Sequence, residues 1–383
     1  MSKWPAKKLG DFVLSTDQRD PTQHPDEEFV YIDIGAVETA SKEIRDPARM
    51  LGAVAPSRAR KVVRAGDVIV ATVRPALNAV ALVPPSLDAQ ICSTGFCILR
   101  AGEHINNRYM FHFTKSPGFV AHLVNRVKGA NYPAVTENDV KDALLPLPPL
   151  PEQERFVRIL DEAEALRRLR AHADQRTKAL IPALFEEAFH AAEAGQSDWR
   201  IHQLGDLCDL VNGAAFKPSE WDGKGLPIIR IQNLNDPSKP FNYCSRPIVE
   251  KFRVRPGDIL LSWSGTPGTS FGCFRWSGPE GWLNQHIFNV RLKEGVDGEF
   301  FIYAINARLH ELIAKAHGGV GLQHVTKGTL NAVEVPLPPL DLQRAFAARV
   351  ADIRELEGAQ AASRKRLDDL FQSLLHRAFQ GEL

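Results

Sequence analysis

The chain has 383 residues, 44% of them hydrophobic, and its 47 basic and 46 acidic side chains leave a net charge of +1. That length is ample for two or three domains with real cores, and the absence of any run of about 18 apolar residues excludes a membrane-spanning helix. A charge so close to zero excludes polyanion binding through bulk charge, so any nucleic-acid contact must come from local clusters. The five cysteines, at 92, 97, 208, 244 and 273, form no CxxC pair and are expected to be free thiols in a reducing cytoplasm. Residues 1–8 lead into a polar stretch, so no signal peptide is expected.

Residues 1–150 read as mixed α and β. Residues 68–73 follow the Gly66-Asp67 turn and read as a buried strand, and 96–99 as another. Residues 108–127 read as helix interrupted near Pro117, and Thr136 with Asp139 fits a capping box that opens a short helix. Pro146, Pro148 and Pro149 then forbid helix and favour a stiff, extended segment. Beyond Glu152, Phe156, Ile159, Ala163, Leu166, Ala173, Leu180 and Leu184 fall near the a and d positions of a heptad. This predicts a helix over 152–190, roughly 58 Å long at ~1.5 Å per residue, kinked at Pro182. Residues 196–340 repeat the mixed pattern, with a strand at 259–263 and a helix at 300–316. A second long helix over 342–379 carries its own stripe in Phe346, Ile353, Leu356, Leu367, Leu370 and Leu374.

The repetition is literal. Leu-Pro-Leu-Pro-Pro-Leu at 145–150 returns 190 residues later as Val-Pro-Leu-Pro-Pro-Leu at 335–340, and Gln153, Phe156, Leu166 and Leu180 return as Gln343, Phe346, Leu356 and Leu370. Arg64-Ala-Gly-Asp67 returns as Arg255-Pro-Gly-Asp258. A period this long is a duplicated domain, not a solenoid repeat of roughly 20–50 residues. The expected fold class is α+β: two similar mixed α/β domains (1–150 and 196–340) separated by two long antiparallel coiled-coil helices (151–195 and 341–383), with internal pseudo-two-fold symmetry. Packing of each stripe on its own domain is the alternative.

This arrangement resembles the specificity subunits of type I restriction–modification systems over the whole chain. The resemblance rests on the Pro-Leu-Pro-Pro-Leu segment followed by Gln and a long helix, present twice, each time after a variable domain carrying an Arg-x-Gly-Asp strand. It implies a cytoplasmic DNA-recognition subunit that performs no chemistry itself. Each variable domain would read half of a split double-stranded DNA target. The helices would dock two adenine methyltransferase subunits, and a restriction/translocase subunit would complete the complex. S-adenosylmethionine, ATP and Mg would belong to those partners, with no cofactor or metal in this chain. A methylation-only or type IIB-like system, or a coiled-coil protein scaffold, are the other readings. The chain lacks an Asn/Asp-Pro-Pro-aromatic motif for holding a flipped base, a P-loop and zinc-ligand spacing.

Candidate contacts follow from residue chemistry. Arg58, Arg60, Lys61 and Arg64 place four cations in seven residues, and Lys251, Arg253 and Arg255 recur at the matching place. Such clusters suit phosphates, with a solvated charge run as the alternative. Arg74 and Asn78 in one loop face Ser264 and Thr266 in its counterpart, and Asn284, Gln285 and His286 stand where the first copy has 93–95. Asn, Gln and Arg can pair bidentately with base edges, although Asn-rich turns are commonly only turns. A glycine-flanked loop bearing Lys128, Asn131 and Tyr132 aligns with one followed by Gln323 and His324. The most similar parts of the copies, Pro148, Pro149, Gln153, Phe156 and Pro338, Pro339, Gln343, Phe346, are expected to form two equivalent docking surfaces, with plain structural need as the alternative.

Overall fold

The β-branched run Val68–Ala71 is buried throughout and pairs antiparallel with Phe96–Ala101 on one side and Val80–Leu82 on the other, with Val13–Leu14 at the edge of the sheet. Gly66 opens this strand at φ +86°, a left-handed conformation that glycine enters without steric cost. The Asp67 carboxylate then accepts the Arg64 N–H at 2.8 Å and pairs with Arg100 at 2.8 Å. A second sheet runs Ala48–Leu51, Glu28–Ile32, Ile91–Ser93, Ala59–Val62, with a parallel central pair. These facts come from a computed structural model that describes residues 3–129, 133–193, 199–236, 238–265, 270–308, 313, 317–319 and 322–383, with backbone alone at 188–193, 265, 317–319 and 322–324.

The second half repeats both sheets strand for strand. Cys208–Asn212, Ile287–Leu292, Ile259–Ser262 and Gly272–Arg275 take the order of the first sheet. Asn242–Cys244, Leu226–Ile229, Gly281–Leu283 and Arg253–Val254 take that of the second, again with a parallel central pair. Two helices, Asn107–Thr114 and Pro117–Val124, replace the interrupted helix expected at 108–127, and Pro117 sits at the first helical position, where its missing N–H costs nothing. The capping box at Thr136 and Asp139 forms as read. In each half a two-stranded pairing, Ala6–Lys8 with Leu144–Pro146 and Arg200–Gln203 with Glu334–Leu337, joins the start of the globular part to its proline segment.

The long helices run Leu150–Glu193 and Leu340–Gln380, and Pro182 lies inside the first without ending it. The chain forms two compact units: Met1–Ala173 with Gln360–Leu383, and Asp174–Ala359. Each unit therefore holds one globular part and a stretch of both helices. Within the first unit the stretches run antiparallel, since Arg155 donates to the Leu383 carbonyl at 2.7 Å and Arg167 pairs with Asp368 at 2.6 Å. Tyr109 of the globular part packs on Phe156 and Phe379, with ring centroids 6.3 and 5.2 Å away. In the second unit Phe185 packs on Phe346 at 5.6 Å and on Phe300 at 6.0 Å. No helix among the described residues is long and apolar enough to cross a membrane, and all five cysteines are buried and free.

The heptad stripe is only partly the buried one. Phe156 and Ala163 are buried as expected, but Leu166 is 52% exposed and Leu356 45% exposed, and Leu180 and Leu370 are also exposed. The buried face of the first helix passes through Phe156, Leu160, Ala163, Asp174, Thr177, Ile181 and Phe185. That is a 3.6-residue period set by packing on the globular part as well as on the other helix. Leu166 lies roughly 100° of helical turn away from Arg167, its inward-leaning neighbour.

A charged cluster binds the first helix to its globular part. Arg108 Nε meets Asp161 at 2.7 Å, His112 Nε2 meets the other Asp161 oxygen at 2.7 Å, and Lys115 Nζ meets both Glu164 oxygens at 3.0 Å. Lys115 also lies over the Phe111 and Phe371 rings, at 4.3 and 5.4 Å. Burial works to raise the Asp161 pKa, but the His112 and Arg108 hydrogen bonds together outweigh it and hold the carboxyl at about 2. Burial pushes the Lys115 ammonium down to about 8, against the pull of Glu164. His112, Asp161 and Glu164 have donor atoms within 4.8 Å of one another, a spacing a cation could use, but Arg108 and Lys115 already satisfy these carboxylates.

Two outcomes follow. Phe156→Ala or Phe185→Ala should cost about 3–5 kcal/mol in urea unfolding, whereas Leu166→Asp and Leu356→Asp should stay within about 0.5 kcal/mol because both side chains reach water. The Asp161 carboxyl has a folded pKa of about 2 against an ordinary 3.8, so the stability it confers is complete above the higher value and drains away as pH falls toward the lower one. Melting curves of Asp161→Asn should therefore lose less between pH 4 and pH 2 than those of the parent, a window set by these two values.

Candidate nucleic-acid interface

The same backbone hydrogen bonds assemble one surface twice. In the first unit the Thr72 N–H donates to the Gly95 carbonyl at 2.9 Å, and the Val135 N–H donates to the Thr72 carbonyl at 2.9 Å. In the second unit the Trp263 N–H donates to the His286 carbonyl at 3.4 Å, and the Val325 N–H donates to the Trp263 carbonyl at 3.1 Å. Each set joins the loop after the buried strand, the turn before the next strand and the segment leading into the capped short helix. The three regions singled out in the sequence therefore share one face in each unit. Ser264 and Gly265 pair with His324 and Gln323 to extend that face.

In the first unit the cations divide sharply. Lys61 is buried, and its ammonium donates to the Phe96 carbonyl and to Glu137. On an alternating strand its neighbour Arg60 leans the other way, where it pairs with Asp20 at 3.3 Å. Arg64 reaches Asp88 at 3.9 Å. The expectation that Lys61 serves phosphates is thus corrected, because its charge is enclosed in the fold. Arg58 and Arg74 are exposed and have no ion-pair partner among the described residues, and both line one groove of about 570 Å³ with Ile34, Thr39, Val73 and Leu77. Lys128, likewise exposed, sits on the strand-like segment bridged to Ala134, which in turn bridges Val73 beside Arg74.

Arg74 and Asn78 both adopt left-handed backbone, at φ 50° and 49°, a strained conformation that costs about 1 kcal/mol or more for a non-glycine residue. Asn78 makes this turn hold. Its amide donates to the Thr114 carbonyl at 2.8 Å, and its own carbonyl accepts from Lys42 at 2.6 Å. Asn78 is therefore a brace for the loop, while the turn leaves the Arg74 side chain exposed. Asn131 and Tyr132 lie outside the described residues.

The second unit is built differently on the same frame. Arg253 and Arg255 are neutralised in place: Glu250 meets them at 3.2 and 2.6 Å, and Glu280 at 2.8 and 3.3 Å. Glu280 is distant in sequence and arrives because Arg253 pairs across strands with Trp282. Lys251 stays outside this network, over the Phe252 ring at 4.8 Å. Asn284 accepts the His286 N–H at 3.3 Å and so caps its own turn, and Ser264 is buried. Gln285 is the exposed member of its turn, with its amide 3.2 Å from His286 Nε2. His286 lies against Trp263, ring centroids 5.8 Å apart, an aromatic that stands where the first copy has Thr72. Thr266 and the side chains of Gln323 and His324 fall outside the described residues.

The residues expected to dock partners are mostly turned inward. Gln153 is 0% exposed and Gln343 1%, while Pro148, Phe156 and Pro338 are buried and Phe346 half-buried. Each glutamine accepts one backbone N–H, from Asn106 or Asp297, and donates to two carbonyls, His104 and Pro148 or Gly295 and Pro338. This latch accounts for the recurrence of the two glutamines. Pro149 and Pro339 alone of that set are exposed.

The sequence profile described as the type I restriction modification DNA specificity domain matches residues 196–359. The HsdS subunit from Thermoanaerobacter tengcongensis, solved by crystallography, is 34% identical, with 99% of this chain and 97% of that one covered at a TM-score of 0.51. A chain from a structure concerned with complex assembly and conformational transition of the type I R-M system is also 34% identical, covering 99% and 98% at a TM-score of 0.71. The type I restriction enzyme MjaVIII specificity subunit of Methanocaldococcus jannaschii is 21% identical over 316 residues, 76% of this chain and 74% of its own length. With its duplicated frame and its two surfaces of differing side chains, the chain belongs to the family of DNA specificity subunits of type I restriction–modification systems.

Proposed function

We propose that each unit reads its own half of a split double-stranded DNA target, and that the chain carries two adenine methyltransferase subunits that act on that target. The observation that carries this reading is the pair of faces held by equivalent hydrogen bonds, Thr72 to Gly95 and Trp263 to His286, with unlike residues around them. Base readout needs side chains that differ when the bases differ, whereas phosphate contacts need not. In the first unit Arg58, Arg74 and Lys128 supply charge around an apolar groove. In the second, Gln285 offers amide chemistry next to His286 and Trp263. S-adenosylmethionine is then held by the methyltransferases, and ATP and Mg by a restriction/translocase subunit, because this chain carries no motif for them.

Docking is better assigned to exposed side chains than to the buried proline–glutamine corner. Leu166 and Leu180 on the first long helix and Leu356 and Leu370 on the second are exposed, and each pair is the repeat of the other. Apolar side chains left in water at equivalent positions suit two copies of one partner.

Arg58→Ala and Arg74→Ala, measured in the reconstituted complex, should each weaken DNA binding and lower the slope of log affinity against log salt by about one unit. Lys61→Ala should instead lower the melting temperature. Leu166→Asp with Leu356→Asp should leave the chain folded and reduce the methyltransferase that co-purifies, and a native mass with one methyltransferase per chain would overturn the docking of two. Methylome sequencing after exchange of residues 196–335 for another member's second domain should change one half of the methylated sequence, and a change in both halves would overturn the modular reading.

A further inference from the structure

The two halves share the buried glutamine, and it sets their alignment. Gln153 grips Asn106, His104 and Pro148, and Gln343 grips Asp297, Gly295 and Pro338. The globular helices Asn107–Thr114 and Gly298–Ala307 therefore match at a separation of 191 residues, and the long helices at 190. In that register Arg108 corresponds to Glu299, Asp161 to Ala351 and Glu164 to Arg354.

The charges are inverted. In the first unit the globular helix offers cations, Arg108 and Lys115, to the acids Asp161 and Glu164 of the long helix. In the second unit the globular helix offers an acid, Glu299, to the cation Arg354 of the long helix at 3.0 Å. Arg275, from the same globular part as Glu299, holds the other oxygen of that carboxylate. Lys115, Glu164 and Glu299 are largely shielded from water, at 4%, 12% and 16% exposed, whereas Arg108 and Arg354 reach it at 40% and 45%. Like charges brought together there would be costly.

We infer that this inverted charge pattern matches each recognition domain to its own long helix and makes either domain a poor fit to the other helix. The chain itself joins each domain to its helix through the proline segment whose carbonyl completes the latch, so the pattern acts when a domain is placed before the other helix. The glutamine latch is the same in both halves, so the charges are what distinguish the two seats. The second domain on the first helix would set Glu299 against Asp161 and Glu164. The first domain on the second helix would set Arg108 and Lys115 against Arg354. Repulsion against the wrong arrangement is how specificity between similar partners is built. The inference concerns pairing within the chain and stands whether or not two methyltransferases dock.

The test pairs two full-length chains with one double substitution. In the native chain, Asp161→Ala with Glu164→Arg, which copies the second helix, should speed proteolysis of the first globular part under native conditions by roughly tenfold or more. In a chain whose residues 1–145 are replaced by residues 196–335, the same double substitution should slow proteolysis of the transplanted domain by a similar factor. Harm in one background and rescue in the other is the signature of a charge code, and loss of packing alone would move both chains the same way. Equal proteolysis of the transplanted chain with and without the double substitution, or harm in both backgrounds, would overturn the assignment.

Discussion

A glutamine amide enclosed where a proline segment turns into a long helix holds each half of this protein together. Gln153 and Gln343 each satisfy one backbone N–H and two backbone carbonyls, of which Pro148 and Pro338 are buried. A buried amide carrying both a donor pair and an acceptor can do this from one position, and leaving the buried proline carbonyl unpaired would cost about 1–3 kcal/mol. The prolines before it keep the segment extended, so the helix leaves the globular part in a set direction. The surrounding aromatics, Tyr109 with Phe156 and Phe300 with Phe346, pack against a backbone that this latch has already placed.

That constraint separates frame from surface in this chain. The frame is repeated in strand order, in parallel central pairs and in the hydrogen bonds that close each face. What sits on the faces is not repeated. One unit shows free arginines beside an apolar groove, while the other pairs its arginines with Glu250 and Glu280 and exposes Gln285. Reading residues can change there without disturbing the core, because they stand at the ends of strands whose own side chains do the packing. Nominal charge is a poor guide to such a surface. Of the four cations between 58 and 64, one is enclosed and two have carboxylate neighbours, which leaves Arg58 as the exposed one with no ion-pair partner among the described residues.

Duplication has left the two seats alike in their latch and unlike in their charge. The charges around Asp161 and Glu299 are of opposite sense. The same residues thus stabilise the seated domain and oppose the wrong one, which is cheaper in sequence than altering the packed aromatics of both cores.

The sequence by itself determined the repeat, the mixed α/β class, the long helices to within a few residues and the capped turn at Thr136. Each of these rests on local chemistry or on identity between two stretches of one chain: proline's missing N–H, helix periodicity, a capping pair. It also singled out loops that the structure gathers on one face of each unit, because similarity between the copies fails there. Tertiary structure alone decided which way side chains point. The heptad count placed Leu166 and Leu356 in a seam, whereas packing on the globular part turned them to water and Leu160 and Val350 inward. Lys61 and Arg58 are three residues apart and chemically alike, yet one meets Glu137 and the other meets solvent. Burial and neutralisation depend on partners such as Glu137 and Glu280 that are far away in the chain, and no local pattern announces their arrival.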